Sequence, residues 1–233
     1  MATFLLIHGA CHGGWCWDSV AALLRAQGHR VVAPDLPCDS LEADLDTYAD
    51  VAAAALGAGA GDPGELVVVG HSLGALVVPL LATRLPVRRM VMLAGIIGAP
   101  GRSMADLADE DHDRDQHLGP EDLETDAQGR FRFTAAGARR ALFEECPPRV
   151  ADAAIGRLRF QRSMWTQVSH FDAWPAGEIV SITCTGDLVV NPAWSDRVAR
   201  DRLGVEPVHL EGGHSPFLSR PAELTEMLVS GLT

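Results

Sequence analysis

Short apolar runs separated by longer amphipathic stretches set the rhythm of this chain. Thr3–Ile7, Arg30–Ala33, Leu66–Val69, Arg89–Leu93, Ile179–Thr183 and Val205–Leu210 are rich in Val, Leu and Ile, and their near-continuous hydrophobicity predicts strands buried on both faces. Between them, Trp15–Gln27, Leu41–Ala58, Leu73–Leu85, Pro192–Leu203 and Ala222–Leu232 carry apolar residues at helical spacing, punctuated by Gly28, Pro86, Gly204 and Pro221. This alternation predicts an α/β protein with a mainly parallel sheet of about six strands and helices on both faces.

The rhythm lapses from Gly98 to about Gly177. That stretch offers helical patches at Arg139–Cys146 and Val150–Arg162 and a loop crowded with acids from Asp106 to Asp126. The economical reading is a core of residues 1–97 and 178–233, with 98–177 inserted as a helical lid over the sheet's carboxyl edge. Ala52–Gly64 is Ala/Gly-rich across a helix end and a loop.

Composition narrows the function classes. The 233 residues include 19 basic and 31 acidic ones, a net charge of −12 that opposes binding to nucleic acid or anionic membrane. Every basic residue is arginine. Without lysine there is no Walker P-loop, no Schiff base and no pyridoxal-phosphate anchor, since each requires that amine. The five cysteines are scattered with no close C-x-x-C pair, which suggests reduced thiols rather than a disulfide framework or a zinc site. Met1–Ile7 lacks a basic flank and reads as a core strand, not a signal peptide, and no apolar run approaches the roughly 20 residues of a membrane span. A soluble, cytoplasmic protein is expected.

One pentapeptide carries chemistry. Gly70-His71-Ser72-Leu73-Gly74 follows the run Leu66–Val69 directly, and Val77–Leu81 continues in helical phase. A G-x-S-x-G sequence between strand and helix is the setting of a nucleophile elbow, whose sharp turn exposes the serine oxygen. A serine needs an imidazole as base and a carboxylate to orient that imidazole. In the order Ser, acid, His, Asp187 follows Ile179–Gly186, and His214 follows Val208–Gly213 before the last helix. Asp196, Asp201 and Glu211 compete for the acid role, but the first two lie within a helix pattern. Two backbone donors for a developing oxyanion are expected from Leu73, next to Ser72, and from Ala10 in the loop after the first strand.

Gly9, His71, Phe143 and Trp165 are candidates for the substrate pocket, and His71 is expected to pack behind the elbow. Trp15, Trp17, Phe160, Met164, Phe171 and Trp174 are further candidates for its walls, each also explained by ordinary packing. His8 and His12 flank glycines without an obvious ligand partner, so support of the Ala10 loop is favoured over metal binding. Asp109–His117 lacks the spacing and glycine of a calcium loop and reads as a solvated surface.

Together, His8–Trp17, Gly70–Gly74, Cys184-Thr185-Gly186-Asp187 and Gly213-His214 resemble the α/β-hydrolase superfamily, and within it the branch of plant methyl esterases, including the salicylic-acid-binding type, and hydroxynitrile lyases. Leu142–Pro148 resembles that branch's lid segment. The resemblance implies an α/β-hydrolase core lacking the superfamily's first two strands, a triad of Ser72, Asp187 and His214, and no metal or organic cofactor. The lyase pattern has a lysine after the histidine and a hydroxyl residue beside the nucleophile; here stand Ser215 and Gly9. Both departures favour ester hydrolysis over cyanohydrin cleavage. The expectation is a serine esterase acting through an acyl-enzyme on a small or medium apolar ester, such as a methyl ester of a specialised metabolite. The same Ser72 acyl-enzyme also suits a thioesterase or an acyltransferase with a thioester or carrier-protein donor, and the fold also suits a non-catalytic small-molecule binder.

Overall fold

The computed structural model describes residues 1–57, 66–115 and 118–232. Its sheet is built from β1 (Thr3–Ile7), β2 (Arg30–Val32), β3 (Leu66–His71), β4 (Val87–Leu93), β7 (Glu178–Cys184) and β8 (Val208–Leu210), in the order β2-β1-β3-β4-β7-β8. All five pairings are parallel. Side chains alternate across each strand, so Phe4 and Leu6 face one layer while Leu5 and Ile7 face the other. Both layers are apolar, which is why the central strands read as continuous hydrophobic runs.

On one face α2 (Leu45–Leu56) and α3 (Val78–Arg84) bury Tyr48, Ala52 and Leu81. On the other, α1 (Asp18–Ala26) and α8 (Pro221–Val229) bury Val20, Leu24, Leu224 and Leu228. The strand order reverses direction between β1 and β3. In open α/β sheets the crevice outside the carboxyl ends of such strands is where ligands bind, and both the Gly9–Ala10 loop and Ser72 lie there.

Helix boundaries differ from the periodicity for local reasons. The predicted start at Leu41 moves to Leu45 because Asp44 caps the helix, accepting from the Thr47 amide at 2.7 Å. Its predicted end, Ala58, and the loop through Gly64 lie outside the described residues. The predicted Leu73–Leu85 helix begins as a tight 3-10 stretch, Ser72–Val77, before α3. Pro192–Leu203 divides into α6 (Pro192–Val198) and a wider π turn, Ala199–Leu203.

Residues 98–177 are less helical than expected. β5 (Leu123–Thr125) and β6 (Phe131–Phe133) form an antiparallel hairpin, followed by a short helix α4 (Ala135–Gly137) that runs on as a π turn through Leu142. The predicted Val150–Arg162 helix is only α5 (Pro148–Ile155). Beyond it the backbone pairs elsewhere: Arg159 N–H donates to Cys11, Gln161 exchanges two bonds with Phe131, and Arg162 N–H donates to Cys38. These contacts between distant segments hold the chain extended where local spacing favours helix. Phe133, Leu142, Phe143, Ala151 and Leu158 of this segment form an apolar cluster that also takes in Cys11 and packs against Ala10, Leu188 and Leu218.

The acid-rich stretch is solvated at Asp109, Glu110, His112 and Asp115, as expected, but not at Asp111 and Arg114, which are buried. Asp111 is 7 % exposed, accepts from Trp194 Nε1 at 2.9 Å, and pairs with Arg202 at 2.6 and 3.0 Å. Glu110 pairs with Arg102, Asp113 with Arg197, and Asp115 with Arg114. Arginine side chains pair with these acids, and among the described residues no cluster of three or more His, Cys, Asp or Glu is arranged for a metal. Gln116 and His117 lie outside the described residues. All five cysteines are free and buried. Among the described residues no helix is long and apolar enough to cross a membrane.

Removing one partner of a buried ion pair strands the other. Asp111→Ala is therefore expected to destabilise the fold by about 3–5 kcal/mol, and Asp111→Asn, which still accepts from Trp194, by less. Urea unfolding of the three proteins checks this order; equal midpoints for Asp111→Ala and the parent would refute it.

Candidate active site

Ser72 leaves β3 with φ at +51°, one of three non-glycine residues with positive φ among those described. Such a conformation is costly for a side chain bearing Cβ and persists only where the surroundings impose it. The imposing contact is close packing between the turn after β3 and the end of β1. A Cβ on Gly74 would lie 2.5 Å from the His8 carbonyl oxygen, and one on Gly9 would lie 2.9 Å from Ser72 Cβ and 2.7 Å from His71 Nδ1. Only glycine fits at these two places, so the turn and the Gly9–Ala10 loop are pressed together.

His214 follows β8 and is 2 % exposed; its Nδ1–H donates to Asp187 Oδ2 at 2.7 Å. That bond leaves Nε2 as the ring's free lone pair. Asp187, 3 % exposed, is oriented by the amides of Val189 and Val190, which donate to Oδ1 at 2.7 and 2.9 Å. The competing acids are engaged or remote: Asp196 accepts from Thr183 Oγ1 and lies 2.9 Å from His209 Nε2, while Asp201 and Glu211 are exposed. The Asp187 loop is also tied to the 98–177 segment. Asn191 N–H donates to the Arg114 carbonyl at 2.7 Å, and Asp115 bridges Val190 in antiparallel fashion.

Behind the site stand three neutral imidazoles, each orienting a carbonyl. His8 takes the Leu36 amide on Nε2 and donates from Nδ1 to the Gly9 carbonyl at 2.8 Å; His12 Nδ1 donates to the Ala10 carbonyl at 2.8 Å. Because the trans peptide is planar, anchoring the Gly9 carbonyl aims the Ala10 N–H the opposite way. His71 Nε2 donates to the His214 carbonyl at 2.8 Å, and the two rings lie 4.6 Å apart. Burial pushes His8 down to about 4 and His12 to about 3, and it holds His71 well below the usual imidazole range with help from His214 and His12.

Ser72, Leu73, Ala10 and His214 all line one cavity of about 210 Å³. The sheet edge supplies them together with His12, Ile96 and Val189. The 98–177 segment supplies Met104, Arg114, Asp115, Leu118, Leu123, Phe131, Phe133, Leu142, Met164 and Trp165. Three pocket candidates fall elsewhere. Phe143 is 1 % exposed and packs inside the apolar cluster with Leu142 and Leu158, Gly9 is sealed against Ser72 and His71, and His71 lies under His214. Trp165 and Met164 line the cavity, whereas Trp17 packs on Phe217, Phe171 on Trp174, Phe160 under Arg132, and Trp15 against His12. Phe131 and Phe133 are wall residues absent from the sequence-based candidates, although their alternation with Arg130 and Arg132 is the mark of a one-faced strand. Ser215 caps α7 (Pro216–Ser219) through its carbonyl, not its hydroxyl, whose Oγ is buried without a hydrogen-bond partner among the described residues.

Residues 4–227 match the alpha/beta hydrolase family. Esterase PIR7B of Oryza sativa subsp. japonica is 40% identical over 110 residues, covering 43% of this chain and 41% of that protein. Methyl jasmonate esterase 1 of Vitis vinifera is 25% identical over 248 aligned positions, 97% of this chain and 94% of its own. Among solved structures, polyneuridine aldehyde esterase superposes with a TM-score of 0.83 at 16% identity, covering 100% of both chains. The rice match thus spans under half the relative's length, while the grape match runs nearly end to end.

The buried imidazoles set an acid limit. Unfolded, they protonate near 6.5; folded, His8 and His12 do so only near 4 and 3, so the unfolded chain binds more protons between those values. Stability fully present above pH 6.5 is therefore lost as pH falls towards 4, by roughly 3 kcal/mol for His8 alone. Thermal melts from pH 7.5 to 4 check this; a Tm that holds level or rises as the solution acidifies would contradict neutral burial.

Proposed function

The chain belongs to the alpha/beta hydrolase family, and on that premise we propose that it is a carboxylic ester hydrolase working through an acyl-enzyme on Ser72. The observation that carries the reading is the His214 Nδ1–Asp187 bond, which engages one ring nitrogen and leaves Nε2 as the one available to Ser72, both residues lining one cavity. Nε2 takes the Ser72 proton as Oγ adds to the ester carbonyl. The developing oxyanion is received by the Ala10 and Leu73 amides, and Asp187 stabilises the imidazolium. Collapse of the tetrahedral intermediate breaks the C–O bond while His214 returns its proton to the leaving alcohol. Water then repeats the sequence on the acyl-enzyme, with His214 again base and then acid, and releases the carboxylic acid. No metal or organic cofactor enters these steps.

Residues 98–177 act in this reading as the lid that shapes the cavity over the residues 1–97 and 178–233 core. At about 210 Å³ the cavity lies below the roughly 300–1,000 Å³ common for ligand pockets, and its walls are mainly Met, Leu, Phe and Val. Size and lining support a small or medium apolar ester. The names of the rice and grape relatives support the same class, with a methyl ester as its simplest member.

Ser72→Ala is expected to lower turnover of a p-nitrophenyl ester by at least about 10³-fold. The parent should gain the mass of one phosphonyl group from a fluorophosphonate probe on Ser72, and the variant should not. Wild-type turnover by the variant would refute the mechanism. Product analysis with added alcohols or amines tests the route of deacylation: acid is expected as the main product, and predominant transfer would make the protein an acyltransferase.

A further inference from the structure

A second, much smaller cavity abuts the catalytic histidine. It measures about 10 Å³, close to the least space that holds one water molecule, and His214 and Leu142 border both it and the cavity above Ser72. Its outer wall is exposed at Glu144, Glu145 and Gly186, whereas Ala141, Cys146 and Ser215 are buried on its inner wall. The space thus leads from solvent to His214 past residues other than Asp115, Ser163 and Trp165, the exposed walls of the larger cavity. Glycine keeps it open. A Cβ on Gly213 would meet only the Gly186 carbonyl oxygen, at 3.9 Å, and one on Gly186 would lie 3.3 Å from the Gly212 carbonyl oxygen and 3.8 Å from Glu145 Oε1. Leu142, the partition between the two cavities, ends the π turn Ala138–Leu142, a widened turn of the kind that recurs at functional sites.

We infer that the water resolving the acyl-enzyme arrives through this side cavity, passing between Leu142 and His214, so that these walls determine which acceptor takes the acyl group. The inference rests on the ester-hydrolase reading proposed above. An acyl chain on Ser72 packs against Met, Leu and Phe side chains in the larger cavity, and such packing leaves no void for water coming from the Trp165 side. The side cavity meets His214 instead, the group that must take the water's proton. There the water oxygen adds to the acyl carbon as His214 Nε2 takes that proton. The bond from carbon to Ser72 Oγ then breaks, Oγ recovers the proton from His214, and the carboxylic acid departs. A passage of this size admits water and excludes methanol or any larger alcohol or amine. Hydrolysis is therefore the outcome for acyl groups large enough to close the main cavity, while small ones leave both routes open.

The test follows acyl-enzymes by rapid-quench mass spectrometry, formed from p-nitrophenyl octanoate and p-nitrophenyl acetate on the wild type, Gly213→Ala and Leu142→Ala. The added methyl of Gly213→Ala enters open space beside the passage without displacing protein atoms. It should slow decay of the octanoyl-enzyme by about 10-fold or more, while acylation and decay of the acetyl-enzyme stay within about twofold of wild type. Leu142→Ala widens the passage, and the share of octanoyl groups captured by added methanol as methyl octanoate should rise by about 5-fold or more. Equal slowing of both acyl-enzymes by Gly213→Ala, or no slowing of octanoyl decay, would overturn the route. So, independently, would an unchanged methanol share in Leu142→Ala. Each of these results leaves the hydrolase reading standing, because the acyl-enzyme has formed. Absence of any adduct on wild-type Ser72 would instead overturn that reading and the route with it.

Discussion

The close approach of two backbones at the carboxyl ends of β1 and β3 governs this molecule. Parallel pairing brings Ile7 level with Gly70, and the chain must then turn within a few residues beneath the loop leaving β1. Glycine at 9 and 74 permits that contact, and the contact in turn holds Ser72 in its positive-φ conformation. His8 and His12 hold the carbonyls of the facing loop, and His71 holds the carbonyl of His214. The strain at one serine is thus supported by a layer of neutral imidazoles whose hydrogen bonds are all to backbone. Any change that loosens the layer moves Ser72, Ala10 and His214 together, since they share its anchors.

Arginine organises the periphery in a different way. With no lysine available, the acids of the 98–177 segment meet planar forks that bind carboxylates through two bonds and never lose their proton. Asp111 sits between Trp194 and Arg202 as a buried post joining the segment to α6 and the π turn beyond it. The result is a segment fastened by electrostatics at its acid-rich end and by an apolar cluster around Phe143 and Leu158 at the other.

Much of the core was legible because local and long-range demands coincide there. Leu66–Val69 is apolar at every position because both faces of β3 are covered, and glycine, turn and helix follow in the order a strand-to-helix elbow needs. Asp187 and His214 were legible by their places after β7 and β8, and the structure joins them by a hydrogen bond. The intervening segment was opaque for the opposite reason. Its strands have three residues each, Glu124 and Arg132 point outward, and Arg159–Arg162 stay extended only through partners more than a hundred residues away at Cys11 and Cys38 or across the hairpin at Phe131. Asp111 and Arg114 look like solvated charge in sequence because Trp194 and Arg202, which hold Asp111, and Asn191, which binds the Arg114 carbonyl, are remote along the chain. Phe143 has the aromatic character of a pocket wall, but it is buried in the cluster with Leu142 and Leu158 and edge-on to the His12 ring.

The bridge between Asp115 and Val190 couples two parts of the site. Val189 and Val190 orient Asp187 through their amides, and the same short stretch is paired to the segment that shapes the cavity. Cavity shape and carboxylate orientation are therefore not separate modules. Any rearrangement of the backbone at Asp115 acts on the loop that orients Asp187 as well as on the cavity wall. Substitution of single wall side chains such as Met104 or Leu118 leaves that backbone pairing untouched and changes the cavity alone.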